Sequence, residues 1–189
     1  MADDYRVLGI DPGSRTTGYG VIDVRGRRLA HVASGAFALG AGRPLASRLL
    51  ALFDGLSGVI RDYQPAIVSI EDVFYAQNVR SAITLGHARG AALLAAARAG
   101  LPVCAYAATQ IKMAVVGTGR AEKAQVQEMV RAFLGLARRP APDAADALAA
   151  AICHAQRAPT LARIARAAGR VALPSMGRRG AIRARRVIP

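Results

Sequence analysis

The apolar positions of the chain follow two rhythms. Arg6–Asp11 (RVLGID) is a short apolar run that ends on an acid, and Pro12, Gly13 and Ser14 supply a turn behind it. Gly18–Val24 (GYGVIDV) and Leu29–Phe37 (LAHVASGAF) predict the second and third strands, near enough in sequence to return as an antiparallel meander. The rhythm then lengthens. Leu45, Leu49, Leu52, Leu56, Val59 and Ile60 recur at helical spacing within Pro44–Tyr63, and Pro65 ends the helix. Ala66–Glu71 (AIVSIE) is rich in β-branched residues and predicts a fourth strand. Asn78 can cap a long helix running to Gly100, and Pro102–Ala107 predicts a fifth strand. Thr109 can cap a short helix to Val116, Gly117–Gly119 is a loop, and Ala121–Leu134 is amphipathic. After Pro140 and Pro142 a last helix is expected over Asp143–Gln156.

Three strands, helix, strand, helix, strand, helices is an α/β order. Its expected form is a mixed five-stranded sheet, three antiparallel strands and then parallel strands added by crossovers, with helices on both faces.

Composition divides the chain. The 189 residues carry a formal charge of +14, which favours a polyanionic partner and nucleic acid first. The excess is uneven: from Arg157 onward there are nine arginines and no acid. A folded domain is therefore expected over residues 1–156 and a basic, mobile arm over 157–189, with at most a short helix at Leu161–Ala168. No run is apolar and long enough to span a bilayer, and Asp3 and Asp4 give the start the wrong charge for a secretory leader. Cys104 and Cys153 lie in apolar surroundings without metal-ligand spacing, as expected of reduced thiols in a cytoplasmic protein.

Four acids then change the picture. Asp11 and Glu71 each end a strand expected to lie side by side. Asp143 and Asp146 are three apart at a helix start and share a face. Each alone has a plainer explanation: a turn for Asp11, a solvated strand end for Glu71, a favoured helix start for the two aspartates. Together they fit one cluster if the helix start meets the strand ends. Such a cluster needs a cation, since two carboxylates ~4 Å apart repel by roughly 4 kcal/mol at an effective dielectric near 20. Hard oxygen donors suit Mg²⁺ or Mn²⁺, and a pair of such ions supports phosphodiester hydrolysis.

At this point the sequence resembles the RuvC family of Holliday-junction resolvases, within the RNase H-like superfamily. The resemblance lies in LGIDPGSRTTGYGVI (Leu8–Ile22), IEDVFYAQN (Ile70–Asn78), SAITLGHARG (Ser81–Gly90), QIKMAVVGTGRAEKAQVQEMV (Gln110–Val130) and DAADALAAAICH (Asp143–His154), in that order. It implies an RNase H-like fold and four metal-binding acids, Asp11, Glu71, Asp143 and Asp146, with Asp11 bridging two Mg²⁺ ions (or Mn²⁺). It implies that Lys112 and Lys123, the only lysines here, approach the cut phosphate, and that Phe74 stacks on bases at the junction centre. Tyr75, Gln77 and Arg80 are further candidates for DNA contact. It also implies a homodimer on four-way junction DNA, cutting opposed strands to leave 5′-phosphate and 3′-hydroxyl ends, and cooperation with the RuvA–RuvB branch-migration machine. Gly86 and Gly90, with Ala82 and Ala91 nearby, give the long helix a small-residue face for a dimer seam or for close packing on the sheet. His87 is expected to be structural or interfacial. His154, three turns beyond Asp143, should not reach the metals. Three rivals remain at the level of sequence. One is a phosphotransferase of the sugar-kinase or chaperone-ATPase kind, which opens with a similar turn. The others are a non-catalytic junction-binding module and a YqgF-type relative.

Overall fold

The computed structural model describes residues 4–13, 15–40, 42–72 and 79–167, with the side chains of 79–81 and 165–167 excepted. In chain order the elements are β1 (Tyr5–Asp11), β2 (Thr16–Arg25), β3 (Arg28–Ala38), α1 (Leu45–Tyr63), β4 (Ile67–Asp72), α2 (Val79–Arg98), β5 (Val103–Ala107), α3 (Ala108–Val116), α4 (Lys123–Leu134) and α5 (Pro142–Ala167). The strands form one sheet in the order β3-β2-β1-β4-β5. β1 and β3 run antiparallel to β2, while β4 and β5 run parallel to β1 and to each other. This is the mixed sheet that the two rhythms predict.

Alternation along each strand assigns side chains to opposite faces. Leu8, Ile10, Val21, Val68 and Ile70 pack with Leu52 and Leu56 of α1 and with Ala88, Ala92 and Ala96 of α2. Val7, Ile22, Ile67 and Tyr106 point the other way, into a core made with Ile111 and Val115 of α3, Val126 and Val130 of α4, and Leu148 and Ile152 of α5. Asp11 shares the parity of Val7, and Glu71 that of Ile67, so both acids belong to the α5 face.

The last helix crosses that face at unusually short range, and three glycines are the reason. A Cβ on Gly18 would collide with the carbonyl oxygen of Asp143, one on Gly9 with that of Ala147, and one on Gly20 with the Leu148 side chain at 2.6 Å. Asp143 and Ala147 are one helical turn apart, so α5 rests its backbone on a bare track across β2 and β1. Ser69 of β4 continues the track, donating its buried hydroxyl hydrogen bond to Ala150 O at 2.6 Å. The alanine-rich stretch Ala144–Ala151 suits this close approach, and its alanines are buried.

Local chemistry corrects several expected boundaries. Thr109 does not cap α3; Ala107 holds the cap position, and its N–H donates to Gln110 Oε1 at 3.0 Å. α4 starts at Lys123 rather than Ala121, because the Glu122 N–H is satisfied in the same way by Gln125 Oε1 at 2.8 Å. β4 extends one residue past Glu71, to Asp72. α5 starts at Pro142, which suits a first helical position, and runs on to Ala167 instead of stopping at Gln156. It passes through Pro159. By then the helix has left the core, and Leu161, Ala162 and Arg163 are strong helix formers. The first turns of the expected arm, 157–167, are therefore helical, and the rest of the arm lies outside the described residues. Among the described residues no helix is long and apolar enough to cross a membrane.

Candidate active site

β1 and β4 deliver the first two acids. Their register pairs Ile10 with Ile70, so Asp11 and Glu71 are the next residues on neighbouring strands and point to the same face. Across the other edge of β1, Asp11 pairs with Gly18. That bare position receives the first turn of α5, which begins at Pro142 and presents Asp143 and then Asp146. The four acids predicted from sequence thus meet at one corner, where two strand ends face a helix start. The helix N-terminus also favours negative charge there.

Electrostatics register the crowding. Burial, then the Glu71, Asp146 and Asp143 charges, push the Asp11 carboxyl up to about 7 against the pull of Lys123. Glu71 is raised by burial and by Asp146, with Lys123 and Lys112 lowering it in part. Asp146 is raised chiefly by burial, and Lys123 opposes the rise. The Lys123 ammonium, well exposed at the first turn of α4, stands 3.6 Å from Asp146 Oδ2 as an ion pair. Lys112, on α3, is near enough to act on both Glu71 and Asp146. Both lysines therefore flank the acid corner.

Among the described residues, no three His, Cys, Asp or Glu side chains are gathered closely enough to hold a metal ion as they stand. The donor set nevertheless fits a hard divalent ion: four carboxylates, three of them raised in pKa, with histidine and cysteine turned elsewhere. His154 is buried and hydrogen-bonded through Nδ1 to the Tyr106 hydroxyl at 2.9 Å, as its distance along α5 predicts. Cys153 is buried and Cys104 half-buried, and both are free thiols.

Other candidates divide cleanly. Phe74, Tyr75 and Gln77 lie outside the described residues, as does the side chain of Arg80, whose backbone belongs to α2. Gly86 and Gly90 do not rest on the sheet: among the described residues, no atom lies within 4 Å of a Cβ placed on either. Ala82, Ile83, Gly86, His87 and Leu94 are exposed on the same helix, whereas Ala91 turns inward to the core. Sequence reasoning missed the track of Gly9, Gly18 and Gly20, without which α5 could not bring its aspartates to the strand ends. The signal was available as glycine at alternate positions of one strand and once more on its neighbour, a pattern costly in strands unless another backbone approaches.

The comparisons with known proteins agree with this geometry. The model of the family described as crossover junction endodeoxyribonuclease RuvC matches residues 7–154. A protein of that name from Citrifermentans bemidjiense is 56% identical over 152 residues, covering 80% of this chain and 93% of its own length. Another, from Marinobacter nauticus, is 52% identical over 165 residues, covering 87% and 94%. Thermus thermophilus RuvC in complex with Holliday junction substrate superposes with a TM-score of 0.79 at 36% identity, over 82% of this chain and 96% of that one. The yeast mitochondrial resolvase Ydc2 shares the fold at 14% identity and a TM-score of 0.61. With the matched stretch running from the first strand to His154 of the last helix, and with the four acids meeting inside it, the chain belongs to the RuvC family of crossover junction endodeoxyribonucleases and is a nuclease.

Proposed function

We propose that the chain resolves four-way DNA junctions by metal-dependent hydrolysis at Asp11, Glu71, Asp143 and Asp146. The observation that carries this reading is the meeting of two strand-end acids with two acids of the α5 start, flanked by Lys112 and Lys123. The four carboxylates would hold Mg²⁺ or Mn²⁺, two ions per site. Bound there, the ions would supply an activated water and offset charge on the leaving oxygen. The chain's own part is to place the acids, keep Asp11 and Glu71 partly out of bulk water, and bring two ammonium groups to a phosphate. Lys112 and Lys123 neutralise the scissile phosphate, and arginines along the arms supply contacts to the rest of the backbone. Phe74, Tyr75, Gln77 and Arg80 contact the junction centre.

A second copy of the chain completes the reaction. The exposed face of α2, with Gly86 and Gly90 uncovered and Ile83 and Leu94 outward, suits a two-fold helix-to-helix seam. Such a dimer presents one active site to each of two opposed strands, and paired cuts leave 5′-phosphate and 3′-hydroxyl ends that a ligase can seal. Cooperation with the RuvA–RuvB machine and a cytoplasmic location follow from the same reading.

The test uses a synthetic four-way junction and a matched linear duplex with Mg²⁺ or Mn²⁺, together with Asp11→Asn and Asp146→Asn. The junction should be cut and the duplex spared, and each variant should lose at least a hundredfold in rate while still binding. Equal cutting of both substrates would remove the junction assignment. Normal cutting by the variants would remove the acid assignment, and a strictly monomeric species at working concentration would remove the paired cut.

A further inference from the structure

Asp72 is the residue after Glu71, and alternation sends its side chain to the opposite face of the sheet, toward α2. There it meets Arg89, with Nη2 3.1 Å from Asp72 Oδ1. Both side chains are partly buried, at 26% exposure for the arginine and 31% for the aspartate. The place of Arg89 along its helix is informative. It is the eleventh residue of α2, and its neighbour Ala88 is the first residue of that helix, among those described, to enter the core. The ten steps of helix from Val79 to Arg89 rise about 15 Å. The first three turns of α2 therefore overhang the catalytic end of the sheet, and Ile83 and Gly86 are exposed on that overhang. Arg89 sits at its root.

The pair is also an expensive way to join a helix to a strand. The Arg89 Nε is buried and has no hydrogen-bond partner among the described residues. A buried donor left unpaired is destabilising, and an apolar contact at this site would hold the layers together without that cost. What an apolar contact lacks is direction. The guanidinium fixes the position of the Asp72 carboxylate, and one peptide unit away the same backbone fixes Glu71.

We propose that Arg89 and Asp72 are a positioning pair that locks the strand end bearing Glu71 to the root of the α2 overhang. Seating of the overhang against a second copy of the chain then sets the place of Glu71. The inference rests on the proposed function, in which Glu71 is a metal-holding acid and α2 forms the dimer seam. Neither Arg89 nor Asp72 touches the reacting atoms.

The experiment compares the full chain with Arg89→Ala, Arg89→Lys, Asp72→Ala and the exchanged pair Arg89→Asp with Asp72→Arg, and includes Glu71→Gln as control. Four readouts are taken: oligomeric size, four-way junction affinity, single-turnover cleavage at saturating protein, and the rise in melting temperature on adding Mg²⁺. For Arg89→Ala and Asp72→Ala, size and affinity should stay within about twofold. Cleavage should fall at least tenfold, and the Mg²⁺-induced rise in melting temperature should shrink. The exchanged pair should recover part of both losses. Arg89→Lys keeps the charge but not the fork, and should lie between. Cleavage at the original rate by folded Arg89→Ala overturns the pairing role. So does a loss confined to stability, with rate and Mg²⁺ response intact in Arg89→Lys. If Glu71→Gln cuts normally, the underlying site assignment fails instead, and the two failures are thereby told apart.

Discussion

The Asp11 carboxyl is the residue on which the site's charge balance is concentrated. Its raised pKa, about 7, means that the folded chain takes up a proton at Asp11 which the unfolded chain, with its ordinary value of 3.8, has already released. The stability this group contributes is complete below the unfolded value and is lost as pH climbs through 7. In chelated buffer the chain should therefore melt at a lower temperature at pH 8 than at pH 6, by on the order of 5 °C at this size. Asp11→Asn should flatten the difference. Divalent cation competes with the proton for the same carboxylates, so the stabilisation given by Mg²⁺ should grow over the same interval. Melting curves from pH 5 to 8.5, with and without Mg²⁺, check both statements, and a profile unchanged by Asp11→Asn would show that other groups carry the slope.

At the scale of elements, the site depends on how closely α5 lies on the sheet. Gly18→Ala should force the first turn of α5 off Asp11, since the new methyl meets the carbonyl of Asp143. Overpacking of this kind costs about 1–3 kcal/mol, and cleavage should fall much further than the lost stability accounts for. Gly58→Ala, in the interior of α1 with the nearest atom 3.8 Å away, should instead be neutral or stabilising, by about 0.4–1 kcal/mol. Melting temperature and cleavage rate measured together separate the two. The same helix shows what a sequence does and does not disclose. The strands were legible because apolar runs such as Ala66–Glu71 open behind a proline or glycine, and the acids because two end such runs and two stand at a helix start. The glycine track left only an indirect signal, glycines at positions costly in strands, because a strand glycine gains its meaning from the backbone that lies over it. The end of the last helix was not legible: it was expected at Gln156, whereas α5 passes through Pro159 to Ala167. Thr109 looked like a cap, but the hydrogen bond is supplied by Gln110. The Arg89–Asp72 pair depends on how far α2 overhangs the sheet, and no local pattern encodes that length.

For the whole molecule, the uneven charge becomes a statement about binding. Residues 168–189 carry six arginines and no acid. Because α5 continues to Ala167, a truncation there removes those charges and keeps all of the described helix. The truncated chain should bind junctions more weakly at low salt and show a shallower dependence of affinity on salt, by about 0.9 in logarithmic slope for each phosphate that the arginines had neutralised. Titrations at several salt concentrations measure this, and an unchanged slope would mean that the arginines touch no phosphate. The glycine track has a consequence in time as well as space. Two of the four acids belong to the first 72 residues, while the other two arrive only when the last helix docks on Gly9, Gly18 and Gly20. On the proposed function, a chain still emerging from the ribosome, or one cut short before Asp143, thus carries only two of the four metal-holding acids. Junction cleavage would then be withheld until the last helix has docked on the sheet.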